Sequence, residues 1–201
     1  TTYNDEAPFN YPFDLAKANA LLDEAGYPKG ADGTRFSLRL AFLPSDVFRK
    51  TSEYLRSSFG KLGVKVETLD GDLATFIKRV YTERGFDLTV NGISRLFDPT
   101  AGVQRLYWSD GIKNPAPYVN AAHYNNPKVD DLFRAAAIES DEAKRAAQFK
   151  EIQKITGDDL PNFSIVALPT VILRNANLKS LVTTIDVAYS DLATAWKQPQ
   201  S

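Results

Sequence analysis

Three short apolar runs, separated by two helical ones, constrain this chain more than anything else in it. Phe36, Leu38, Leu40 and Phe42 alternate with Ser37, Arg39 and Ala41, the period of a half-buried strand. Val64 to Leu69 alternates in the same way, and Phe86-Asp87-Leu88-Thr89-Val90 is a third apolar run. Between the first two, Ser45 or Asp46 can cap a helix. On it Val47, Phe48, Thr51, Tyr54, Leu55, Phe59 and Leu62 recur at helical spacing until Gly63 stops the pattern. Between the second and third, Asp70-Gly71-Asp72 turns the chain into a shorter helix carrying Leu73, Phe76, Ile77 and Val80. Strand, helix, strand, helix, strand with short links predicts parallel neighbours joined by right-handed crossovers. The expected fold class is therefore α/β: a three-layer lobe with a mostly parallel mixed sheet flanked by helices, to which Phe163–Leu168 adds a fourth strand.

The remaining chain fits around that centre. Residues 1–13 are polar, aromatic and without period, an extended lead-in. Asp14 caps a helix carrying Leu15, Ala18, Leu21, Leu22 and Ala25, and Gly26 ends it. Tyr107 to Pro127 reads as loop. Pro127 suits the first turn of a helix holding Val129, Leu132, Phe133 and Ala136. Asp141 caps another with Ala143, Ala147, Phe149, Ile152 and Ile155, which stops near Leu160-Pro161. Val171-Ile172-Leu173 has the composition of a strand, and Val182 to Trp196 shows no clear period.

Composition removes several classes of function. Lys and Arg number 24 against 25 Asp and Glu, a net charge of -1. A dedicated nucleic-acid binder would show a basic excess, so none is expected. Hydrophobic residues make up 43%, enough for a real core, yet no apolar run reaches the roughly 18 residues of a membrane span. With no Cys, disulfides, thiolate metal sites and thiol chemistry are excluded. The chain starts Thr1-Thr2 and holds no Met, so it is expected to be a processed product or an excised piece of a longer protein.

The third strand is where function is expected. It meets a turn signal at Asn91-Gly92, runs through Ile93-Ser94-Arg95-Leu96-Phe97 and breaks at Asp98-Pro99, after which Val103, Leu106 and Tyr107 share one helical face. A loop at the carboxyl end of a parallel strand, facing the start of the next helix, is where α/β folds place ligands. The same pattern also fits a plain strand–loop–helix connection. Arg95 can clamp an anionic group or point to solvent. Trp108, Tyr107 and Tyr118 can wall a ligand or form a satellite core. Elsewhere the chemistry is thin. His123 is the single His and lacks the partners of a triad or a His-based metal site. Asp70-x-Asp72 lacks the later ligands of a calcium loop and reads as turn plus helix cap. Asp130-Asp131 suits a helix start, since adjacent helical residues do not face each other. No phosphate-binding, dinucleotide or nucleophile-elbow motif is present. No catalytic residue, metal or cofactor is expected.

Several segments taken in order resemble a known family. They are Leu62-Gly63-Val64-Lys65-Val66-Glu67, Gly85-Phe86-Asp87-Leu88, Asp98-Pro99, Asn120, Tyr124-Asn125-Asn126-Pro127-Lys128-Val129-Asp130-Asp131-Leu132 and Asp159-Leu160-Pro161. With Tyr11-Pro12-Phe13-Asp14-Leu15 and Leu21-Leu22-Asp23-Glu24-Ala25-Gly26-Tyr27-Pro28, the resemblance spans about residues 9–170. It is to the family-5 extracellular solute-binding proteins, the oligopeptide, dipeptide, nickel and opine receptors of bacterial ABC importers. What it implies is one lobe, the carboxyl-terminal one, of a two-lobed clamp with a periplasmic-binding-protein-like fold. Residues 14–170 would form the ligand-binding lobe, and 171–201 would return toward the first lobe, which lies upstream with the signal peptide. The implied partners are a small-molecule or short-peptide solute, the membrane permease of the importer and the missing amino-terminal lobe. The implied location is periplasmic, or cell-surface and lipid-anchored in a Gram-positive source.

The resemblance places the ligand at Asn91, Gly92, Ile93, Ser94, Arg95, Leu96 and Trp108. Peptide-binding relatives carry an Asp four residues after the loop Gly, where it receives the peptide's amino group. Here that position is Leu96, and the aromatic that usually follows the Gly is Ile93. This implies a ligand without a free amine, or an anionic one facing Arg95, with Asp98 in a separate structural position. Two other readings of the residues stay open: a small α/β hydrolase or transferase domain with an unrecognised site, and an interaction domain using the aromatic loop 107–124.

Overall fold

The computed structural model describes residues 11–93, 98–166, 168, 171, 173–181 and 192–199. The chain divides after Asn162 into two compact units.

The first unit is organised by its central strand. β1 (Phe36–Phe42) lies between β2 (Val64–Leu69) and β3 (Leu88–Val90), and both pairings are parallel. Phe36 is in register with Val64 and Leu40 with Leu88. Successive strand residues point to opposite faces, and here both faces are covered. On one, Leu40, Phe42 and Val90 pack with Val66 and Leu88 against Phe48 and Leu55 of α2 (Asp46–Gly60). On the other, Ala41 packs with Phe76, Val80 and Tyr81. These three come from α3 (Leu73–Ile77) and the wider π-helical turn Lys78–Glu83 that continues it. Helices on two faces of a parallel sheet make the three-layer α/β lobe. The expectation of a half-buried first strand fails at its carboxyl end: Ala41 is as buried as Leu40 because the second helix layer covers its side. The third strand is shorter than its apolar run. The Asp87 carboxylate, not a ladder carbonyl, accepts the Arg39 N–H at 2.7 Å, so regular pairing begins at Leu88.

Caps set the helix ends. Asp14 accepts from the Lys17 N–H at the start of α1 (Leu15–Glu24), Asp72 from Thr75 at the start of α3, and Asp141 from Lys144 at the start of α7 (Glu142–Asp159). Gly26 and Gly63 take positive φ (86° and 82°), where a side chain would strain the backbone. α6 (Pro127–Ile138) opens on Pro127 behind an Asn126 cap. Helices α6 and α7 pack as a hairpin through Val129, Phe133, Ala136, Phe149 and Ile152.

Two expectations are corrected. The single helix expected after the third strand is instead α4 (Pro99–Gly102), a 3₁₀ turn at Gln104–Leu106 and, in the region read as loop, α5 (Asp110–Lys113). Gly102 and the β-branched Val103 are poor helix propagators, and the backbone tightens there. The fourth strand is absent among the described residues: 163–166 and 168 belong to no ladder. Phe163, Ile165, Val166 and Leu168 are exposed, so the side-chain burial that holds a strand of such residues is missing there. In this second unit the described pairing is antiparallel, between β4 (Leu178–Lys179) and β5 (Trp196–Lys197).

Candidate functional site

The carboxyl end of β3 carries Asn91, Gly92 and Ile93. Both ends of the Asn91 amide are engaged within the protein. Its Nδ2 donates to the Tyr81 hydroxyl at 2.6 Å, and its Oδ1 accepts the Gly92 N–H at 2.8 Å. Gly92 lies against the Phe48 ring so closely that an added Cβ would meet Cζ at 2.6 Å. The strand end is thus braced on both sides of the sheet, from Tyr81 below and Phe48 above. Ile93, 37% exposed, is the member of the three that presents an apolar side chain to solvent. Ser94, Arg95 and Leu96 lie outside the described residues.

The chain re-enters at Asp98, which caps α4. Its Oδ1 accepts from the Thr100 N–H at 2.8 Å and the Thr100 hydroxyl at 2.6 Å. Arg145 of α7 donates through Nη2 to both Asp98 oxygens, at 2.8 and 2.7 Å. Partial burial pushes this carboxyl up, but Thr100 and Arg145 pull harder and hold it below the ordinary range. The role of Asp98 is therefore structural, as a cap and an ion-pair partner.

Beside this cap lies an open concavity of about 270 Å³, lined by Thr100, Gln104, Arg105 and Trp108 with Ala101, Gly111 and Val119. Trp108 is at once a lining and a packing residue. Its ring stacks at a tilt on Phe133, with centroids 6.4 Å apart, and the Arg134 guanidinium sits 5.3 Å over it. The structure thus brings Trp108 to the concavity and Asn91–Ile93 to the strand end. Sequence reasoning missed Thr100, Gln104 and Arg105. A signal existed: Thr100, Gln104 and Trp108 follow one another at intervals of four behind the Asp98-Pro99 helix start.

The wall behind the concavity hangs on Asn120. Its side chain is fully buried and makes three hydrogen bonds, from Nδ2 to the Trp108 and Tyr124 carbonyls and from the Tyr124 N–H to Oδ1. Arg84 donates to the Asn120 and Ala121 carbonyls. Tyr118, Asn120 and His123 all adopt left-handed φ (65°, 33° and 53°), so the network holds a locally strained path. Burial and the nearby Arg84 cation lower the His123 pKa, which favours the neutral ring. Tyr107 does not wall the concavity but packs on the hairpin core, and Tyr118 packs against Tyr81.

The other acids have structural partners. Asp70 pairs with Arg49 and Asp72 caps α3. Asp130 is buried and accepts from the Ser109 N–H and hydroxyl, and Asp131 pairs with Arg134. Among the described residues no group of three or more His, Cys, Asp or Glu is placed to hold a metal ion, and no helix is long and apolar enough to cross a membrane.

Comparison with known proteins follows the same residues. Residues 1–115 match the family model "Bacterial extracellular solute-binding proteins, family 5 Middle". The chain is 26% identical over 157 residues to the di/tripeptide-binding protein 3 of Pseudomonas aeruginosa, covering 78% of this chain and 29% of that one. It is 30% identical over 169 residues to the heme-binding protein A of Haemophilus influenzae, covering 80% and 28%. Among solved structures, a dipeptide-binding protein of Pseudoalteromonas in complex with Met-Leu superimposes with a TM-score of 0.70 at 26% identity, over 80% of this chain and 31% of that one. The chain thus spans about 30% of the length of these relatives.

Proposed function

This chain belongs to the bacterial extracellular solute-binding proteins of family 5, and from that premise we propose that it is one lobe of the substrate-binding component of an ABC importer. The observation that carries the reading is the parallel-sheet strand end, with Asn91 and Gly92 locked in place and Ile93 turned outward. Such a site needs no nucleophile or base. It needs a rigid face that a second lobe can close upon, and hinge closure would then bury the solute and present the closed form to a membrane permease. The relatives are about three times as long as the match, which leaves room for that second lobe.

The solute-contacting residues in this reading are Ile93, Ser94, Arg95, Leu96 and Trp108, with Asn91 and Gly92 setting the loop's direction. Residues 14–170 form the lobe and 171–201 return toward the first lobe. The protein works in the periplasm, or lipid-anchored at the cell surface of a Gram-positive source. The solute is a peptide- or opine-like molecule that does not require a free amino terminus. A buried ammonium needs a paired carboxylate, because an unpaired buried ion costs several kcal/mol. Leu96 offers none, and Asp98 is already held by Arg145 and Thr100.

The test is a solute panel on the two-lobed protein, with Met-Leu, N-acetyl-Met-Leu and heme followed by calorimetry and by melting temperature. Saturable binding without turnover is expected. At a hundredfold excess over Kd a bound solute stabilises by about 2.7 kcal/mol, enough to raise the melting temperature visibly. Ile93→Asp should weaken binding at unchanged melting temperature of the free protein. Loss of fold in place of loss of affinity would show Ile93 to be core.

A further inference from the structure

Asn91 is the one asparagine in the chain that a glycine follows. In such a pair the glycine nitrogen can attack the carboxamide carbon before it, because no Cβ shields the nitrogen and the backbone turns freely. The structure sets the two groups side by side. The Gly92 N–H donates to Asn91 Oδ1 at 2.8 Å, and Oδ1 is bonded to Cγ, the atom under attack. Both residues are half-buried, so water and solvent base have access.

Proximity alone is not enough. Attack needs the proton gone from the nitrogen and the nitrogen over the face of Cγ, whereas here the N–H points to Oδ1. The carboxamide must first turn about its Cβ–Cγ bond, and Tyr81 opposes that turn. Its hydroxyl accepts from Asn91 Nδ2 at 2.6 Å, so turning breaks a hydrogen bond. The phenol cannot follow, since Tyr81 is 2% exposed and packed with Ala41, Phe76 and Val80. It stands in the π-helical turn Lys78–Glu83, a rare winding that cores of this kind retain at functional positions. Asp70-Gly71 shows what the amide adds. There the Gly71 N–H donates to Asp70 Oδ1, also at 2.8 Å. The Arg49 guanidinium, with the Gly71 N–H, holds that carboxyl below the ordinary range, so it is ionised and offers no leaving group. At Asn91 the leaving group is ammonia.

We propose that Asn91 is a modification site, deamidated through a succinimide shared with Gly92, and that the Tyr81 hydroxyl guards it by holding the carboxamide. The Gly92 nitrogen gives its proton to solvent base and bonds to Cγ. The Cγ–Nδ2 bond breaks, and Nδ2 takes up a proton and leaves as ammonia. One water then opens the ring, at Cγ to give aspartate or at the Asn91 main-chain carbonyl to give isoaspartate. The sum is amide plus water to acid plus ammonia, with no change of oxidation state. Either product puts a negative charge at the end of β3 and removes the donor that Tyr81 accepts from. Isoaspartate also lengthens the backbone by one carbon, against a Gly92 that already touches the Phe48 ring. This chemistry is independent of the solute-binding reading.

The experiment incubates the full-length protein at mildly alkaline pH, folded and in urea, and follows Asn91 by peptide mass mapping, with isoaspartate told from aspartate by fragmentation. In urea the parent and Tyr81→Phe should convert Asn91 at the same rate, ahead of the other asparagines. The folded parent should be slower than in urea by about fivefold or more, and folded Tyr81→Phe should regain about fivefold, the scale of one net hydrogen bond. Ile152→Val, a comparable loss of stability in the α6–α7 core, should leave the folded rate unchanged. No conversion of Asn91 in urea overturns the site. Equal rates in the folded parent and folded Tyr81→Phe overturn the guard. So does equal acceleration by Ile152→Val, which would make general opening the route. Should Tyr81→Phe fail to fold, the parent decides: a folded rate as fast as the urea rate overturns the guard, and a slower one supports it. None of these readouts uses solute affinity, so their failure leaves the solute-binding reading standing.

Discussion

The sheet, residues 36–90, and the stretch 98–126 behind the concavity reach similar order by opposite means. In the sheet, order comes from many interchangeable contacts. Leu40, Ala41, Phe76 and Val80 are each 0–1% exposed, and regular ladders and helices carry the backbone. In 98–126 no regular element exceeds four residues. Order there comes from a few polar side chains that hold backbone groups directly: Asp98 on Thr100, Asp130 on Ser109, and Asn120 on Trp108 and Tyr124. Apolar contacts tolerate substitution of similar volume, while a polar hub depends on which atom donates and which accepts. The stable half thus supplies a platform, and the specific half shapes the concavity.

The largest expected effect lies in the sheet and should depend on volume alone. Phe76→Ala should destabilise by about 3–5 kcal/mol in denaturant unfolding, and Phe76→Leu should recover most of it. If Phe76→Leu is as damaging as Phe76→Ala, the sheet side is not the forgiving region described. Next comes the hub. Asn120→Ala should cost about 2–3 kcal/mol, since it strips two carbonyls and an N–H of their partner in a buried place. Asn120→Asp, close to identical in volume, should recover nothing, because a carboxylate cannot donate to the Trp108 and Tyr124 carbonyls. Recovery by Asp would mean that volume, not donor chemistry, governs there too.

The same contrast explains what could be read in advance. The strands Phe36–Phe42 and Val64–Leu69 and the caps Asp14, Asp72 and Asp141 follow from period and cap chemistry, which are local. The start of β3 does not, because the Asp87 side chain replaces a ladder acceptor. Asn120 was visible only within a resemblance, since nothing in a single sequence marks a non-glycine residue that must take positive φ. Arg145 reads in sequence as one more cation on a helix, and its partner lies 47 residues away. The strand that leads to Asn91 could be placed from its apolar run, but the concavity lined by Thr100, Gln104 and Arg105 could not, because the expected single helix breaks into short turns.

Gly92 joins the two regions and tests whether the strand end is rigid. An alanine Cβ would press on the tip of the Phe48 ring, which α2 and the sheet hold. Gly92→Ala should cost about 1–2 kcal/mol as an overpacking effect, and Phe48→Leu should relieve it in the double variant. Additive losses would mean that Phe48 moves aside freely and does not brace the loop.

The smallest effect at neutral pH belongs to Tyr81, and its interest is that it reverses with pH. The hydroxyl is buried and takes the Asn91 amide hydrogen, so Tyr81→Phe should cost about 1 kcal/mol at pH 7. Burial, reinforced by Tyr118, raises the phenol from its ordinary 10.0 to about 12, against opposing pulls from Asn91, the Tyr118 backbone and Arg105. A folded-state pKa above the unfolded one means that the neutral group's contribution is complete below pH 10. It is lost as pH climbs toward the folded value, because the unfolded chain ionises first. The parent should therefore lose about 1.4 kcal/mol per pH unit from this residue between pH 10 and 12, and the Phe variant should not. The two stability curves should cross near about pH 11, on the size of the neutral-pH deficit. Parallel curves up to pH 12 would show that Tyr81 ionises in the folded protein as readily as in the unfolded one. The Asn91–Tyr81 brace would then be wet, and the strand end would be less rigid than the sheet that supports it.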